Sequence, residues 1–441
     1  MAKIVPIRGV RYNPEKAGEM ADLVTPPYDV IDEAEQRRFY EKNDYNVIRL
    51  EYGEVQSTDH QQENRYTRAR EFFTSWLEEE ILIHDENSSI YLYEQEFTAG
   101  DTRLTRSGFI AGVGVEDYET GKILPHEETL SKAKADRLEL LRHCHANFSP
   151  IFGLYDDPAL TVENIAARYK QELPDLMFTD EGGETHRLWI VSDKEDLQTI
   201  QSFFTPQKVY IADGHHRYET ALNFHKEMQA QGKNDFGFCL MTLVNLHDPG
   251  LVIYPTHRMI KNVQNFNKDT FTEELSKVFT IKELELPAAN RAENLSTALQ
   301  NMENKIDNQH AFLAYVGDGK LYELTFPRDV DNHVMAHRCG SKSPAWRNLD
   351  VAVLQCLILE DILGIDQEAR TGGVNLAYTR EEVGALDKVD SGDFQAVIFM
   401  NPTLVREVTE VAAAGDKMPQ KSTYFYPKLI TGLVINDFTV K

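Results

Sequence analysis

The spacing of apolar positions changes many times along the chain, and each change marks an element. Lys3–Val10 alternates loosely and predicts a strand. Asp32–Asn43 predicts a helix, because Asp32 followed by Glu35 makes a capping-box pattern. Val47–Tyr52 predicts a strand. Arg68–Glu80 carries Phe72, Phe73, Trp76 and Leu77 on one helical face, a stripe suited to a core. Ile90–Phe97 and Arg106–Val115 flank Gly100-Asp101 and predict a β-hairpin. His310–Val316 and Gly319–Phe326 predict a second hairpin. Ile151–Tyr155, Leu188–Val191, Phe236–Asn245 and Phe394–Met400 read as strands. Lys268–Phe279, Ala289–Asn301, Asn348–Leu363 and Leu404–Ala413 read as helices. The mixture predicts a mixed α/β (α+β) fold.

One stretch combines pattern with chemistry: Lys208–Glu227, KVYIADGHHRYETALNFHKE. Val209-Tyr210-Ile211 reads as a strand, Asp213-Gly214 as a turn, and Tyr218, Ala221, Leu222 and His225 as a helix face. A strand that turns through glycine into a helix offers unpaired backbone N–H groups at the positive end of the helix dipole, which suits an anion. His215, His216 and Arg217 add charge-assisted donors for phosphate oxygens. The same residues also suit a solvated polar turn with Asp213 as helix cap.

A second stretch, Lys122–Tyr155, begins as a loop through His126-Glu127-Glu128-Thr129 and continues as a helix with Leu138, Leu140 and Leu141 apolar. Lys132, Lys134 and Arg137 lie near its start, where cations oppose the macrodipole. An anion bound among them would remove the conflict; i,i+4 ion pairs on a solvated helix are the alternative. In the tail, Lys421-Ser422-Thr423 and Lys428 stand beside Tyr424, Phe425 and Tyr426. They suit either a nucleotide contact or the polar flanks of a packed strand. Pro26-Pro27-Tyr28-Asp29 is a stiff loop that suits the border of a pocket.

The chain has 441 residues, which predicts more than one core. Its formal net charge of −25 argues against a broad nucleic-acid surface, so any phosphate must be met by local positive charge or a divalent cation. Four scattered cysteines suggest neither a disulfide framework nor a zinc site. His143-Cys144-His145 looks metal-like, but adjacent helical residues face different ways. No apolar run is long enough for a membrane span, and the opening MAKIVPIRGV lacks the apolar stretch of a signal peptide, so a cytoplasmic protein is expected. G-x-G-x-x-G, Walker A, H-E-x-x-H and G-x-S-x-G are all absent.

Four motifs in order, TPPYDVI, PHEETL…DR…NFSPIFGLY, DGHHRYETAL and MPQKSTYFYPKLITGL, closely resemble the bacterial and archaeal family known as domain of unknown function 1015. The turn Gly214-His215-His216-Arg217-Tyr218-Glu219 is also similar to the G-C-H-R-Y-E turn of sulfiredoxin, the G-x-R-R box of ParB-type proteins and the D-G-H turn of ParB-like free serine kinases. This second resemblance implies a ParB/sulfiredoxin-like nucleotide-binding core with a large insertion and a C-terminal α/β extension. Residues 1–265 would form the core, with an inserted α/β region, and residues 266–441 the C-terminal region packing on it. Gly214 would be the close-approach glycine, and His215, His216 and Arg217 would line the phosphate site. Arg8 and Arg11 would contact the nucleotide from the first strand, and Lys134 and Lys421 would add charge. His215 stands where sulfiredoxin has its reactive cysteine, which excludes sulfinic-acid reduction by a thiolate. The kinase resemblance implies a glutamate near the first strand as base; Glu15 and Glu19 lie there.

The implied function is a phosphotransferase using a nucleoside di- or triphosphate with Mg²⁺ and acting on a small polar metabolite of the serine or phosphoserine type. Arg137 or Lys134 would neutralise developing charge. Glu127, His126 or Asp213 would be base, and Glu127 or Asp213 a magnesium ligand. The partner is expected to be a small phosphorylated molecule, with no nucleic acid and no membrane, and the oligomeric state is open. The alternatives are a nucleotide-binding regulatory protein without turnover and a phosphoester hydrolase using the same anion site.

Overall fold

The structure is a computed structural model and describes residues 2–127, 131–328 and 333–440. Glu128, Thr129 and Leu130 of the PHEETL motif lie outside them. The chain divides into two compact units: residues 1–125, 129–252 and 427–441 in the first, and residues 126–128 and 253–426 in the second.

The first unit is built on a mixed sheet in which nine of the described strands take part. In spatial order these are Ile123–Leu124, Val209–Asp213, Ile151–Tyr155, Phe238–Asn245, Thr102–Gly114, Ile90–Ala99, Thr185–Val191 and Leu176–Thr179, with Ile4–Val5 also pairing on Thr102–Gly114. The predicted hairpin is present, with Ala99 opposite Thr102 and Gly100 in a left-handed conformation. One core packs Phe109, Tyr155 and Phe204 ring against ring, at 4.9–6.0 Å between centroids. A second core gathers Val10, Phe73, Trp76, Phe148 and Ile435. Its helix Arg65–Glu78 buries Phe73 and Trp76 and is capped by Asn64. Glu33–Lys42 has the expected capping box from Asp32 and Glu35.

One predicted strand is a helix instead. Residues Ile48–Glu51 form a helical turn whose Ile48 amide donates to the Asn46 side chain at 2.9 Å. Ile48-Arg49-Leu50-Glu51 alternates apolar and charged residues as a strand would, but four residues also make one helical turn, with Ile48, Leu50 and Glu51 buried and Arg49 half-buried.

The second unit holds a six-stranded sheet in the order Thr280–Glu285, Lys320–Pro327, Gln309–Tyr315, Ala396–Met400, His257–Ile260 and Leu376–Thr379. Helices Arg291–Glu303 and Glu382–Asp390 cover one face through Leu295, Met302 and Leu386. The apolar stretch predicted as one helix over Asn348–Leu363 runs as Asp350–Val353 and then widens over Leu354–Ile362. There, bonds such as Leu363 N–H to Ile358 C=O span five residues. Among the described residues no helix is long and apolar enough to cross a membrane.

Candidate functional site

Strand Val209–Asp213 is the second strand of the large sheet and pairs with Ile151–Tyr155. The register shifts between Ile211 and Asp213, which places Asp213 opposite Phe152. Such a bulge re-aims the side chain that follows it. Gly214 comes next at φ +89°, a conformation that disfavours any side chain, and a Cβ there would lie 3.0 Å from the Arg217 guanidinium. Helix His215–Ala230 then starts with no side-chain cap, as the strand–glycine–helix pattern predicts.

Asp213 binds two cations. One carboxylate oxygen accepts from Lys428 Nζ at 3.2 Å and the other from Arg217 at 3.3 Å. Burial pushes the carboxyl up, but Lys428 and Arg217 outweigh it and hold the group at about 2. A carboxylate this acidic is a weak proton acceptor at neutral pH. Each oxygen accepts one bond and keeps a further lone pair. Arg217 also donates to the Pro150 carbonyl at 2.6 Å. Beside it, burial lowers the pKa of His216, and the nearby Asp29 and Glu219 do not restore it. His216 is therefore neutral near pH 7. His215 is buried.

The helix Ser131–Cys144 packs along the turn helix. Lys134 pairs with Glu219 at 2.9 Å. Arg137 and Arg217 line a common cavity of about 40 Å³ with Glu51, Ser149 and Thr220. Arg137 is 5% exposed and meets Glu51 at 3.2 Å, Asp136 at 2.6 Å and the Tyr28 ring at 4.1 Å. Burial works against its charge, and Glu51 and Asp136 more than restore it. Residues from TPPYDVI (Tyr28), from the middle motif (Arg137, Ser149) and from DGHHRYETAL (Arg217) thus converge, and Lys428 of the last motif reaches Asp213.

Other candidates lie elsewhere. Arg11 spends its guanidinium on both carboxylate oxygens of Asp85, at 2.6–3.0 Å. His126, Glu127 and Lys421 belong to the second unit and come together there. Glu127 accepts from the Lys421 amide at 2.8 Å, and His126 meets the Thr423 hydroxyl at 2.9 Å.

Tyr28 comes from the loop expected to border a pocket, whereas Arg106 and Glu51 were not expected at the site. Arg106 is 2% exposed, bonds Gln95 at 2.5 Å and lies 4.8 Å over the Phe152 ring, opposite whose backbone Asp213 sits. Burial lowers its pKa to about 10, and its Nη1 has no partner. The available signal was a charged residue at the mouth of an otherwise apolar strand. Asp180, Glu184 and His186 approach one another closely enough to hold a metal. However, His186 bonds Asp180 and Tyr93, and Glu184 bonds Gln95, which accounts for the cluster without one.

Residues 4–352 match the family described as "Protein of unknown function (DUF1015)", and the chain belongs to that family. No curated protein matches. Among solved structures, a free serine kinase in complex with AMP is 14% identical, with 72% of this chain and 86% of that one covered and a TM-score of 0.35. SbnI with a C-terminal truncation, from Staphylococcus aureus, is 12% identical over 74% and 87% at 0.35. A conserved hypothetical protein from Pyrococcus furiosus is 14% identical over 73% and 92% at 0.33. Scores of this size carry no weight for function.

Proposed function

We propose that the Asp213–Arg217 turn holds the phosphates of a nucleotide, and that the protein transfers a phosphoryl group between that nucleotide and a small polar metabolite. The reading rests chiefly on one observation: a helix that starts directly after Gly214 at positive φ, with Arg217 and Lys428 gathered by Asp213 beside it. The helix terminus contributes ~0.3–1 kcal/mol to an anion and each charge-assisted hydrogen bond ~1.5–3 kcal/mol. The similarity of this turn to those of ParB-type proteins and free serine kinases agrees with it. In this reading Arg217, Lys428 and the backbone amides take the phosphate oxygens. Neutral His216 accepts the proton of the acceptor hydroxyl as its oxygen bonds to phosphorus and the bond to the leaving oxygen breaks. Magnesium would arrive with the nucleotide. Asp213 keeps its two cations in place.

A second reading, nucleotide binding without turnover, is favoured by one feature: Arg137, Arg217, Lys134 and Lys428 each already have a carboxylate partner. Thermal shift with nucleotides and Mg²⁺ tests both. At a ligand concentration 100-fold above Kd the wild type gains ~2.7 kcal/mol, a rise of a few degrees in Tm. Arg217→Ala should abolish that rise. A nucleotide shift that survives this change unaltered places the site elsewhere, and product formation separates the two readings.

A further inference from the structure

The second unit contains a cavity of about 570 Å³, within the range that takes a metabolite-sized ligand. Its walls come from strands His257–Ile260 and Leu376–Thr379, the widened helix Leu354–Ile362, and the loop through Lys417–Gln420. Five cationic side chains line it, Arg258, Arg338, Lys342, Arg370 and Lys417, against two acidic ones, Glu360 and Asp366. In a chain of net charge −25 this is a local reversal of sign.

The pairing inside the cavity is uneven. Glu360 takes both Arg338 and Arg370, at 2.8 and 2.7 Å. Lys342 reaches Asp416 at 3.5 Å. Arg258 is 2% exposed, yet its hydrogen bonds go to the backbone carbonyls of Thr256 and Lys421, and its guanidinium lies 5.0 Å over the Tyr378 ring. Among the described residues no carboxylate forms an ion pair with it. Burial lowers its pKa to about 10, and Tyr378 and Glu127 only partly offset this. A buried cation held by carbonyls alone is costly to the fold unless an anion joins it. The widened helix along the wall is a backbone form that recurs at functional sites. Trp346, Leu354 and Leu359 give the cavity an apolar side.

We propose that this cavity binds a small organic anion, a phosphate or carboxylate group carried on an apolar body, with Arg258 as the receptor for the charged group. All its lining residues belong to the second unit, and the proposal does not depend on the nucleotide reading. Cys339 and Cys356 both stand on the cavity wall with their sulfurs 3.0 Å apart; Cys339 is half-buried, and the other three cysteines are buried. The rate of Cys339 alkylation therefore reports occupancy.

The test uses the full chain kept reduced, with iodoacetamide labelling of Cys339 followed by mass spectrometry and with Tm measured in parallel. Phenyl phosphate and phenylacetate distinguish the two charged groups, inorganic phosphate tests the apolar body, and phenol is the neutral control. At saturation, phenyl phosphate or phenylacetate should slow labelling about tenfold while phenol does not, and inorganic phosphate should protect more weakly. Arg258→Gln keeps an amide donor for the carbonyls and removes the charge; it should lose the protection. Arg217→Ala should keep it. The proposal is overturned if neither organic anion protects Cys339, if phenol protects equally, or if Arg258→Gln is protected as well as wild type. Should that variant not fold, the contrast between phenyl phosphate and phenol on the wild type decides alone.

Discussion

Arg137 in the first unit and Arg258 in the second are both buried arginines, each lying over a tyrosine ring, and they differ in what answers their charge. Arg137 is met by Glu51 and Asp136, and its charge is secured. Arg258 has only two carbonyls, and its charge is weakened. The first arrangement is complete and braces the helix that packs on helix His215–Ala230. The second is incomplete and sits in a cavity large enough to be completed by a ligand. Burial of a cation alone therefore does not separate structure from recognition; the partner does.

The comparison breaks most readily at Arg137. Arg137→Ala leaves Glu51 buried without its cation and should cost ~3–5 kcal/mol, read from urea denaturation. An effect below that range would make the two arginines equivalent. Asp213 is next. A carboxyl lowered to about 2 adds stability that is present above its unfolded value near 4 and is lost as pH falls through about 2. Asp213→Asn should remove ~2 kcal/mol of stability at pH 7 and flatten the acid limb between about pH 4 and 2. A Tm-versus-pH series on both proteins checks the sign. Gly214→Ala forces a side chain to φ +89° against Arg217 and should cost ~1–2 kcal/mol while removing the nucleotide-induced Tm shift. Retention of the shift would detach the turn from binding. The smallest stability effect is expected at Arg258: Arg258→Gln should cost about 1 kcal/mol or less, because the carbonyl and ring contacts it weakens are offset by removing a buried charge that no carboxylate answers. A loss as large as that at Arg137 would make Arg258 a structural brace.

Much of the fold was legible in the pattern. The two hairpins, the Asp32 cap, the aromatic helix face and the strand–glycine–helix turn all follow from contacts within a few residues, and all are present. Val47–Tyr52 misled because its apolar–charged alternation is too short to tell a strand from one helical turn. Glu51, hidden in that run, is the carboxylate that meets Arg137. Arg106 was hidden differently: one charge in a strand says nothing about depth until neighbouring strands cover it.

The sequence by itself determined that a glycine turn opens a helix beside a histidine pair and an arginine, since backbone conformation there depends on the residues of the turn alone. Only the tertiary structure decided which charges that turn keeps. Lys428 meets Asp213 across 215 positions of chain, and Arg258 goes without a carboxylate. Both outcomes depend on which strands lie side by side, and a charge acts over ångströms of space, with no regard for distance along the chain.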